Sequence, residues 1–151
     1  MNHFEKMAVG LPERFRQLAT SEPFANKSVA AQEGRHGIYA FFENGKPAYV
    51  GRTRNLRRRL SDHTARTHKK AAFAFRRARS AMNMPTTHTA KWSRDALEKD
   101  PAFMFEVDRQ IALIGAMQVR FVETTDKIEQ LLLEVFAAAE WGLSLDEFDT
   151  H

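Results

Sequence analysis

Hydrophobic and aromatic residues form two short runs, at residues 37–42 and 47–50, that flank the dipeptide Asn44-Gly45. This pattern is typical of a β-hairpin, because asparagine and glycine readily adopt the positive φ that tight hairpin turns require. The hairpin has a tyrosine on each strand, Tyr39 on the first and Tyr49 on the second. Whether these two side chains share a face of the sheet depends on the register of the strands.

Two registers are compatible with this hairpin. A two-residue loop would pair Tyr39 with Val50 and would place Tyr39 and Tyr49 on opposite faces. A three-residue loop that also includes Glu43 would pair Tyr39 with Tyr49, with a left-handed Gly45 in a bulge. We favour the three-residue loop, because it sorts the side chains into an apolar face and a tyrosine face. The apolar face then holds Ile38, Ala40, Phe42, Ala48 and Val50, and the tyrosine face holds Tyr39, Phe41, Pro47 and Tyr49.

The rest of the chain shows helical periodicity and one further strand pattern. Asn55 and Asp126 each precede an apolar periodic stretch, so each is expected to cap the start of a helix. Pro12 suits the first turn of a short N-terminal helix. The predicted elements are helices over residues 11–18, 56–67, 69–82 and 93–116 (the last broken near Asp100-Pro101), a strand over 117–123, and a helix from 127 onward.

This order of elements predicts an α+β fold, in which a small three-stranded antiparallel sheet is flanked by helices. Extra helices are inserted between the helix that follows the hairpin and the third strand. We divide the chain into a helical and loop extension over residues 1–33, a main domain over 34–143 and an acidic tail over 144–151. Within the main domain, residues 64–117 form the helical insertion, which could bind a substrate.

The composition excludes several classes of protein. The chain has 151 residues, of which 43% are hydrophobic, and this is enough for one packed domain. No run approaches the roughly 18 apolar residues of a membrane span, and the N-terminus lacks a secretory signal, so we expect a cytoplasmic protein without a membrane partner. The absence of cysteine excludes disulfides, thiolate metal sites and a cysteine nucleophile. Any metal is therefore expected to be a hard cation such as Mg²⁺ or Mn²⁺.

The charge is unevenly distributed along the chain, although the net charge is only +4. Between residues 52 and 79, eleven lysines and arginines face a single acid, Asp62, whereas acids dominate after residue 122. Such a basic block can neutralise a nucleic-acid backbone and release its counterions, although a solvated basic face would look the same. The candidate backbone contacts are Arg52, Arg54, Arg57, Arg58, Lys69, Lys70, Arg76, Arg77 and Arg79.

A few polar side chains outside this pattern are candidates for chemistry. Arg59 and His63 are four residues apart in a predicted helix, so they would project from one side and line a cleft, although the spacing also fits two surface residues. Glu134 lies at the edge of a leucine stripe, where a carboxylate can bind a divalent ion or simply mark the boundary of the core. A tyrosine phenol can hydrogen-bond a phosphate or a water, but paired tyrosines on a sheet can equally be packing residues.

Together these residues resemble a known family, the GIY-YIG nuclease superfamily. The resemblance rests on Gly37-Ile38-Tyr39, Tyr49-Val50-Gly51, Arg54-Asn55-Leu56 with Arg59 and His63 after it, and Glu129 to Glu134. The family often has an asparagine after the last of these helices, whereas this chain has Glu140-Trp141-Gly142 there. The segment 64–117 is long for a minimal member of the family.

The resemblance implies a role for each matching residue. Tyr39 and Tyr49 match the two motif tyrosines, and Gly51 matches the glycine that lets a nucleic-acid backbone approach the site. Arg59 is similar to the arginine that contacts the scissile phosphate. His63 matches a histidine that many members have one helical turn later, and Glu134 resembles the single metal-binding glutamate.

The resulting expectation is an endonuclease that hydrolyses phosphodiester bonds in DNA, in a repair or restriction context, with one Mg²⁺ or Mn²⁺ bound by Glu134. Tyr39 would orient or deprotonate the attacking water with assistance from His63, and Tyr49 would bind phosphate, but the identity of the base stays open. One alternative is a noncatalytic nucleic-acid-binding module, and another is an RNA-cleaving or partner-activated nuclease subunit. A homodimer or a partner subunit is compatible with either outcome.

Overall fold

The computed structural model of the chain describes residues 1–26, 34–84 and 93–143. The chain divides into two compact units, Met1–Arg59 with Met117–His151, and Leu60–Ala116. The predicted acidic tail, residues 144–151, lies outside the described residues.

The first unit contains the sheet and the two helices that cover one of its faces, and the second unit is helical. The elements of the first unit are α1 His3–Thr20, β1 Phe24–Ala25, β2 Gly37–Glu43, β3 Lys46–Thr53, β4 Gln118–Glu123 and α6 Lys127–Trp141. Helix α2, Leu56–Asp62, begins in the first unit and ends in the second. The other elements of the second unit are α3 Ala72–Ala81, α4 Arg94–Glu98 and α5 Pro101–Gly115. Among the described helices, none has the length and apolar character needed to span a membrane.

The sheet is antiparallel, with the strand order β1-β4-β2-β3. The predicted α+β fold is confirmed, but the sheet has four strands rather than three. The additional strand, β1, pairs Phe24 with Val119 and Ala25 with Gln118. Two residues are too few to show the alternating pattern by which a strand can be predicted.

The hairpin β2–β3 combines a two-residue turn with a bulge. Asn44 and Gly45 have φ values of 52° and 79° and form the turn between Glu43 and Lys46. The register then shifts by one residue, because Phe42 pairs with Pro47 but Phe41 pairs with Tyr49. The extra residue is Ala48, which is opposite no residue of β2.

The predicted pairing of Tyr39 with Tyr49 is therefore wrong, since Tyr39 pairs with Gly51. The two tyrosines nevertheless share a face. A simple two-residue turn would place them on opposite faces, but the extra residue in the bulge moves Tyr49 back to the face of Tyr39. Pro47 lies opposite Phe42 and so belongs to the apolar face, not to the tyrosine face as predicted.

The apolar face of the sheet is covered by α1 and α6. Leu133 and Ala137 of α6 pack with Ile38, Val50 and Val122 of the sheet. Helix α6 lies mainly on β3, the edge strand, and α1 lies mainly on β4. Tyr39 follows Ile38 directly along β2, so its side chain points to the opposite face of the sheet.

Helix α1 is longer than the predicted helix over residues 11–18. It begins at His3, where Asn2 Oδ1 accepts the N–H of Glu5 at 2.8 Å. Pro12 is inside the helix rather than in its first turn, so one backbone hydrogen bond is missing there. Burial of Leu11 and Leu18 in the core with α6 stabilises the helix on both sides of the proline.

Helix α6 begins where the sequence predicts. Asp126 Oδ1 accepts the N–H groups of Ile128 and Glu129, each at 2.9 Å. The Glu129 carboxylate accepts a hydrogen bond of 2.6 Å from the Thr124 hydroxyl and one of 3.2 Å from Arg14 of α1. The start of α6 is thus connected both to β4 and to α1.

Replacing Asp126 by alanine is expected to lower the free energy of unfolding by about 1 kcal/mol, because two N–H groups of the first turn of α6 lose their acceptor. Urea unfolding followed by circular dichroism measures this change. The neighbouring exposed Thr125→Ala is the matched control and should stay within about 0.5 kcal/mol of the wild type. Equal stabilities of the two variants would contradict the capping role.

In the second unit, the predicted break between two helices at Asp100-Pro101 is confirmed. Helix α5 has Pro101 in its first turn, and Asp100 Oδ1 accepts the N–H of Ala102 at 3.0 Å. Helix α3 lies within the predicted range 69–82. Helix α2, in contrast, ends at Asp62 and not near residue 67, so it is only seven residues long.

Candidate functional site

Two tyrosines form the centre of the candidate site on the tyrosine face of the sheet. The rings of Tyr39 and Tyr49 have centroids 6.0 Å apart with an angle of 33° between their planes. Phe41 lies beside both, with its centroid 5.7 Å from Tyr39 and 5.9 Å from Tyr49. Tyr39 is fully buried and Tyr49 is 2% exposed, so the three rings form a rigid aromatic floor.

Arg59 lies against this floor. Its Nε donates a hydrogen bond of 3.2 Å to the Tyr39 hydroxyl, and the guanidinium also interacts with Tyr49. The side chain is half-buried. The predicted association of the two tyrosines with the arginine is thus present in the geometry of the first unit.

The start of α2 positions Arg59. The predicted cap residue Asn55 accepts the N–H of Arg58 through Oδ1 at 3.2 Å. The N–H of Leu56 donates to the carbonyl of Arg35 at 3.1 Å, and the Leu56 side chain is fully buried. The helix that carries Arg59 is therefore fixed to the segment just before β2.

The surroundings of Tyr39 and Arg59 keep both side chains protonated. Burial raises the pKa of Tyr39 well above its usual value, and the neighbouring Tyr49 raises it further, while Arg59 acts in the opposite direction. Burial by itself lowers the pKa of Arg59, but the interactions with Tyr39 and Tyr49 outweigh it and raise this pKa. At neutral pH the group is a neutral phenol that accepts a hydrogen bond from a positively charged guanidinium.

Gly51 leaves room for the tyrosine side chains. A Cβ atom at this position would lie 2.6 Å from the Tyr39 hydroxyl and 2.9 Å from a ring carbon of Tyr49. Both distances are shorter than van der Waals contact. The absence of a side chain at Gly51 thus allows the Tyr39 hydroxyl to reach Arg59.

Replacing Gly51 by alanine is expected to lower the free energy of unfolding by about 1–3 kcal/mol, because the added methyl overlaps two buried rings. Thermal or urea unfolding measures the change. Gly10→Ala in α1 is a control with the opposite sign, since apart from the neighbouring residues and the backbone of the helix itself no atom lies within 4 Å of the added Cβ. Alanine there should stabilise the helix by about 0.5–1 kcal/mol. A Gly51→Ala protein as stable as the wild type would contradict the close approach.

Glu134 is on α6, one residue after the buried Leu133, and its side chain is half-buried. Helix α6 covers the face of the sheet opposite Tyr39 and lies mainly on the edge strand β3. A carboxylate at this position can approach the tyrosine face only around that edge. Its place beside Arg59 stays a prediction.

His63 belongs to the second unit and directly follows the end of α2. It is fully buried, and its ring lies edge-on to Phe73 with centroids 6.2 Å apart and an interplanar angle of 89°. The sequence analysis expected His63 to continue the helix of Arg59 and to line a cleft. Helix α2 ends at Asp62, so His63 directly follows the helix of Arg59, and its place in a cleft stays a prediction.

The basic residues differ in their exposure. In the first unit Arg52, Arg54, Arg57 and Arg58 are exposed. In the second unit Lys69 and Lys70 are exposed and Arg76 and Arg77 are half-buried, while Arg79 is only 7% exposed.

Two of the arginines of the second unit are used in its own packing. Arg77 Nε donates to Gln110 Oε1 at 2.8 Å, and its guanidinium lies 5.6 Å from the centre of the Phe73 ring. Burial lowers the pKa of Arg79, and the charge of Arg94 lowers it further. At 7% exposed, the Arg79 guanidinium is not presented to solvent, where a phosphate would meet it.

The sequence analysis did not include Phe41 among the site residues. Its position two residues after Tyr39 predicts that it shares the tyrosine face, and this spacing is the signal by which it could have been found. Its contribution is apolar, because it fills the space beside both phenols.

A scan against protein-family models matches residues 35–100 to the GIY-YIG catalytic domain. The matched range includes Tyr39, Tyr49, Gly51, Arg59 and His63, but it ends before β4 and α6 and so does not include Glu134. Comparisons with curated proteins and with solved structures each gave no match.

Proposed function

This chain belongs to the GIY-YIG nuclease family through residues 35–100, and on that premise we propose that it is a DNA endonuclease that uses one divalent metal ion. The observation that carries the proposal is the contact of Arg59 with Tyr39 and Tyr49 on one face of the sheet. All three residues lie in the range that matches the family, and in the structure they are in contact with one another.

Arg59 is the residue that stabilises the transition state in this proposal. Attack on a phosphodiester adds negative charge to the phosphate oxygens, and a planar guanidinium that is always charged can neutralise it. Because its Nε is engaged by Tyr39, the outer nitrogens of the guanidinium are held in a defined direction. A half-buried cation also interacts more strongly with charge than one that is fully solvated.

Tyr39 is a positioning residue in this proposal. The sequence analysis gave it the task of orienting or deprotonating the attacking water, but complete burial and a raised pKa argue against a proton acceptor at neutral pH. Its hydroxyl instead holds Arg59 in place. The sequence analysis expected Tyr49 to bind phosphate, but at 2% exposed it is even more buried than Arg79, and we propose that it instead helps Tyr39 to hold the Arg59 guanidinium.

Glu134 is the proposed metal ligand. A half-buried carboxylate supplies one oxygen, and Mg²⁺ commonly uses one or two carboxylates with water and phosphate in its other positions. A bound Mg²⁺ or Mn²⁺ would stabilise the charge that develops on the leaving oxygen.

The exposed arginines of the first unit are the proposed contacts to the nucleic-acid backbone. Arg52 and Arg54 are at the end of β3 and just after it, and Arg57 and Arg58 are in α2, the helix of Arg59. Such contacts position a backbone without reading its sequence. Lys69 and Lys70 offer similar contacts in the second unit.

The proposal is tested by incubating the purified chain with supercoiled plasmid, branched DNA and RNA, each with Mn²⁺, with Mg²⁺ or with a chelator. We expect metal-dependent cleavage of a DNA substrate, seen as nicked or linear plasmid or as a shortened branch. Cleavage of RNA alone would replace DNA by RNA as the substrate. Salt-dependent binding of DNA and RNA without cleavage of either would overturn the enzymatic proposal and would identify a noncatalytic binding module.

A further inference from the structure

Three metal-ligating side chains from separate parts of the second unit lie together. His68 is in the segment before α3, and Asp95 and Glu98 are three residues apart on α4. One ligand atom from each lies within 4.8 Å of the other two, and no second group of this kind occurs in the described parts of the chain.

His68 is held in a fixed orientation by Glu98. The backbone N–H of His68 donates to Glu98 Oε1 at 2.7 Å, and the ring atom Nδ1 lies 2.7 Å from the same oxygen. The ring is also edge-on to Phe75, with centroids 6.2 Å apart, and the side chain is only 12% exposed.

This contact determines which ring nitrogen is available. A carboxylate oxygen this close to Nδ1 is placed to accept a hydrogen bond from Nδ1–H, and in that tautomer the lone pair is on Nε2. Nε2 in turn faces Asp95 Oδ1 at 3.8 Å. That distance exceeds the roughly 2.7–3.2 Å of a hydrogen bond.

The separation of Nε2 and Asp95 is instead close to that of two ligands on one ion. A tetrahedral Zn²⁺ ion with bonds of about 2.0–2.1 Å holds its ligand atoms roughly 3.3 Å apart. The Asp95 side chain is 84% exposed, so its carboxylate can rotate by the small amount required without disturbing the packing.

We propose that His68 Nε2 and the Asp95 carboxylate bind a divalent transition-metal ion of the Zn²⁺ type, with Glu98 orienting His68 through Nδ1–H. One imidazole nitrogen with carboxylate oxygen is a donor set that Zn²⁺ accepts, and water completes its coordination. A histidine ligand that donates its other ring N–H to a carboxylate is the usual arrangement at such sites. The bound ion would join the segment before α3 to α4.

Isothermal titration calorimetry with Zn²⁺ tests the site. The titrations use the full chain with Glu134→Gln in every sample, so that the proposed nuclease metal site does not contribute. We expect one binding event that is at least tenfold weaker in Asp95→Asn and in His68→Ala. Asp108→Asn is the matched control, because this exposed acid of the same unit is bonded to Arg66 instead. Its affinity should equal that of the parent chain.

Two results would overturn the proposal. One is a parent chain that binds no Zn²⁺ at millimolar concentration, which would make the three residues an ion-pair cluster only. The other is unchanged affinity in Asp95→Asn, whose exposed position keeps the fold intact even if His68→Ala loosens the packing on Phe75. Perturbation of the His68 Nε2 signal by Zn²⁺ in ¹⁵N NMR is a second readout. Neither measurement depends on nuclease activity.

Discussion

Replacing Arg59 by alanine is expected to lower the rate of DNA cleavage by about 100- to 1,000-fold, because the transition state loses a preorganised positive charge. The Tyr39 hydroxyl also loses its donor, so the free energy of unfolding should fall by about 1–2 kcal/mol without loss of the fold. Plasmid nicking under single-turnover conditions measures the first effect, and thermal unfolding measures the second. Arg16→Ala, which removes an exposed arginine bonded to Glu13 on α1, should cleave at the wild-type rate.

Two further variants separate charge from geometry at the same position. Arg59→Lys keeps the positive charge but loses the planar guanidinium, so it should recover only part of the activity. Tyr39→Phe removes the hydroxyl that holds Arg59, and its loss should be smaller than that of Arg59→Ala. If Tyr39→Phe cleaved at the wild-type rate, the positioning role of the Tyr39 hydroxyl would be wrong.

Replacing Glu134 by glutamine is expected to reduce metal-dependent cleavage by at least about 100-fold, since the amide keeps the shape of the side chain but is a much weaker ligand for a hard cation. DNA binding measured in the presence of chelator should persist, because the variant removes a negative charge and no basic residue. A cleavage assay over a range of Mn²⁺ concentrations checks the first expectation and fluorescence anisotropy checks the second.

Glu140→Gln is the matched control for Glu134. Both residues are on α6, but Glu140 is fully on the exposed side of the helix. Its cleavage rate and its dependence on Mn²⁺ should be those of the wild type. Cleavage by Glu134→Gln comparable to that of Glu140→Gln would refute the assignment of Glu134 as the metal ligand.

The shared face of the two tyrosines could be predicted from the sequence, but the register that produces it could not. Alternation along a strand determines which residues share a face. A three-residue loop and a two-residue turn with one bulge both place Tyr39 and Tyr49 on the same face, so this alternation cannot distinguish them. The bulge at Ala48 has no sequence signal of its own. The choice between these registers depends on packing around Gly51, which is a tertiary effect.

Helix caps were easier to predict than helix lengths. Asn55 and Asp126 cap helices as their sequence positions suggest, because capping depends on a local contact between a side chain and the next turn. The predicted end of α2 near residue 67 rested on periodicity alone, which gives no signal for where a helix stops, and the helix ends at Asp62.

Burial of polar side chains was the least predictable feature of the candidate site. Arg79 belongs to a basic run that was expected either to contact a nucleic-acid backbone or to form a solvated face, yet it is among the buried residues of α3. The contact of His68 with Asp95 and Glu98 joins residues far apart in sequence, so no local spacing indicates it. Local pattern can identify residues able to do chemistry, but only tertiary packing brings them together.

The position of β2 between β3 and β4 has a consequence for the order of folding. Its pairing with β3 closes a two-residue turn, and hairpins of this kind form within about 1–10 μs. Its pairing with β4 must close a loop that contains the whole second unit, which costs more chain entropy and slows folding. On the ribosome, the hairpin would thus emerge before β4, and the outer edge of β2 stays open to wrong partners until residues 118–123 have been synthesised.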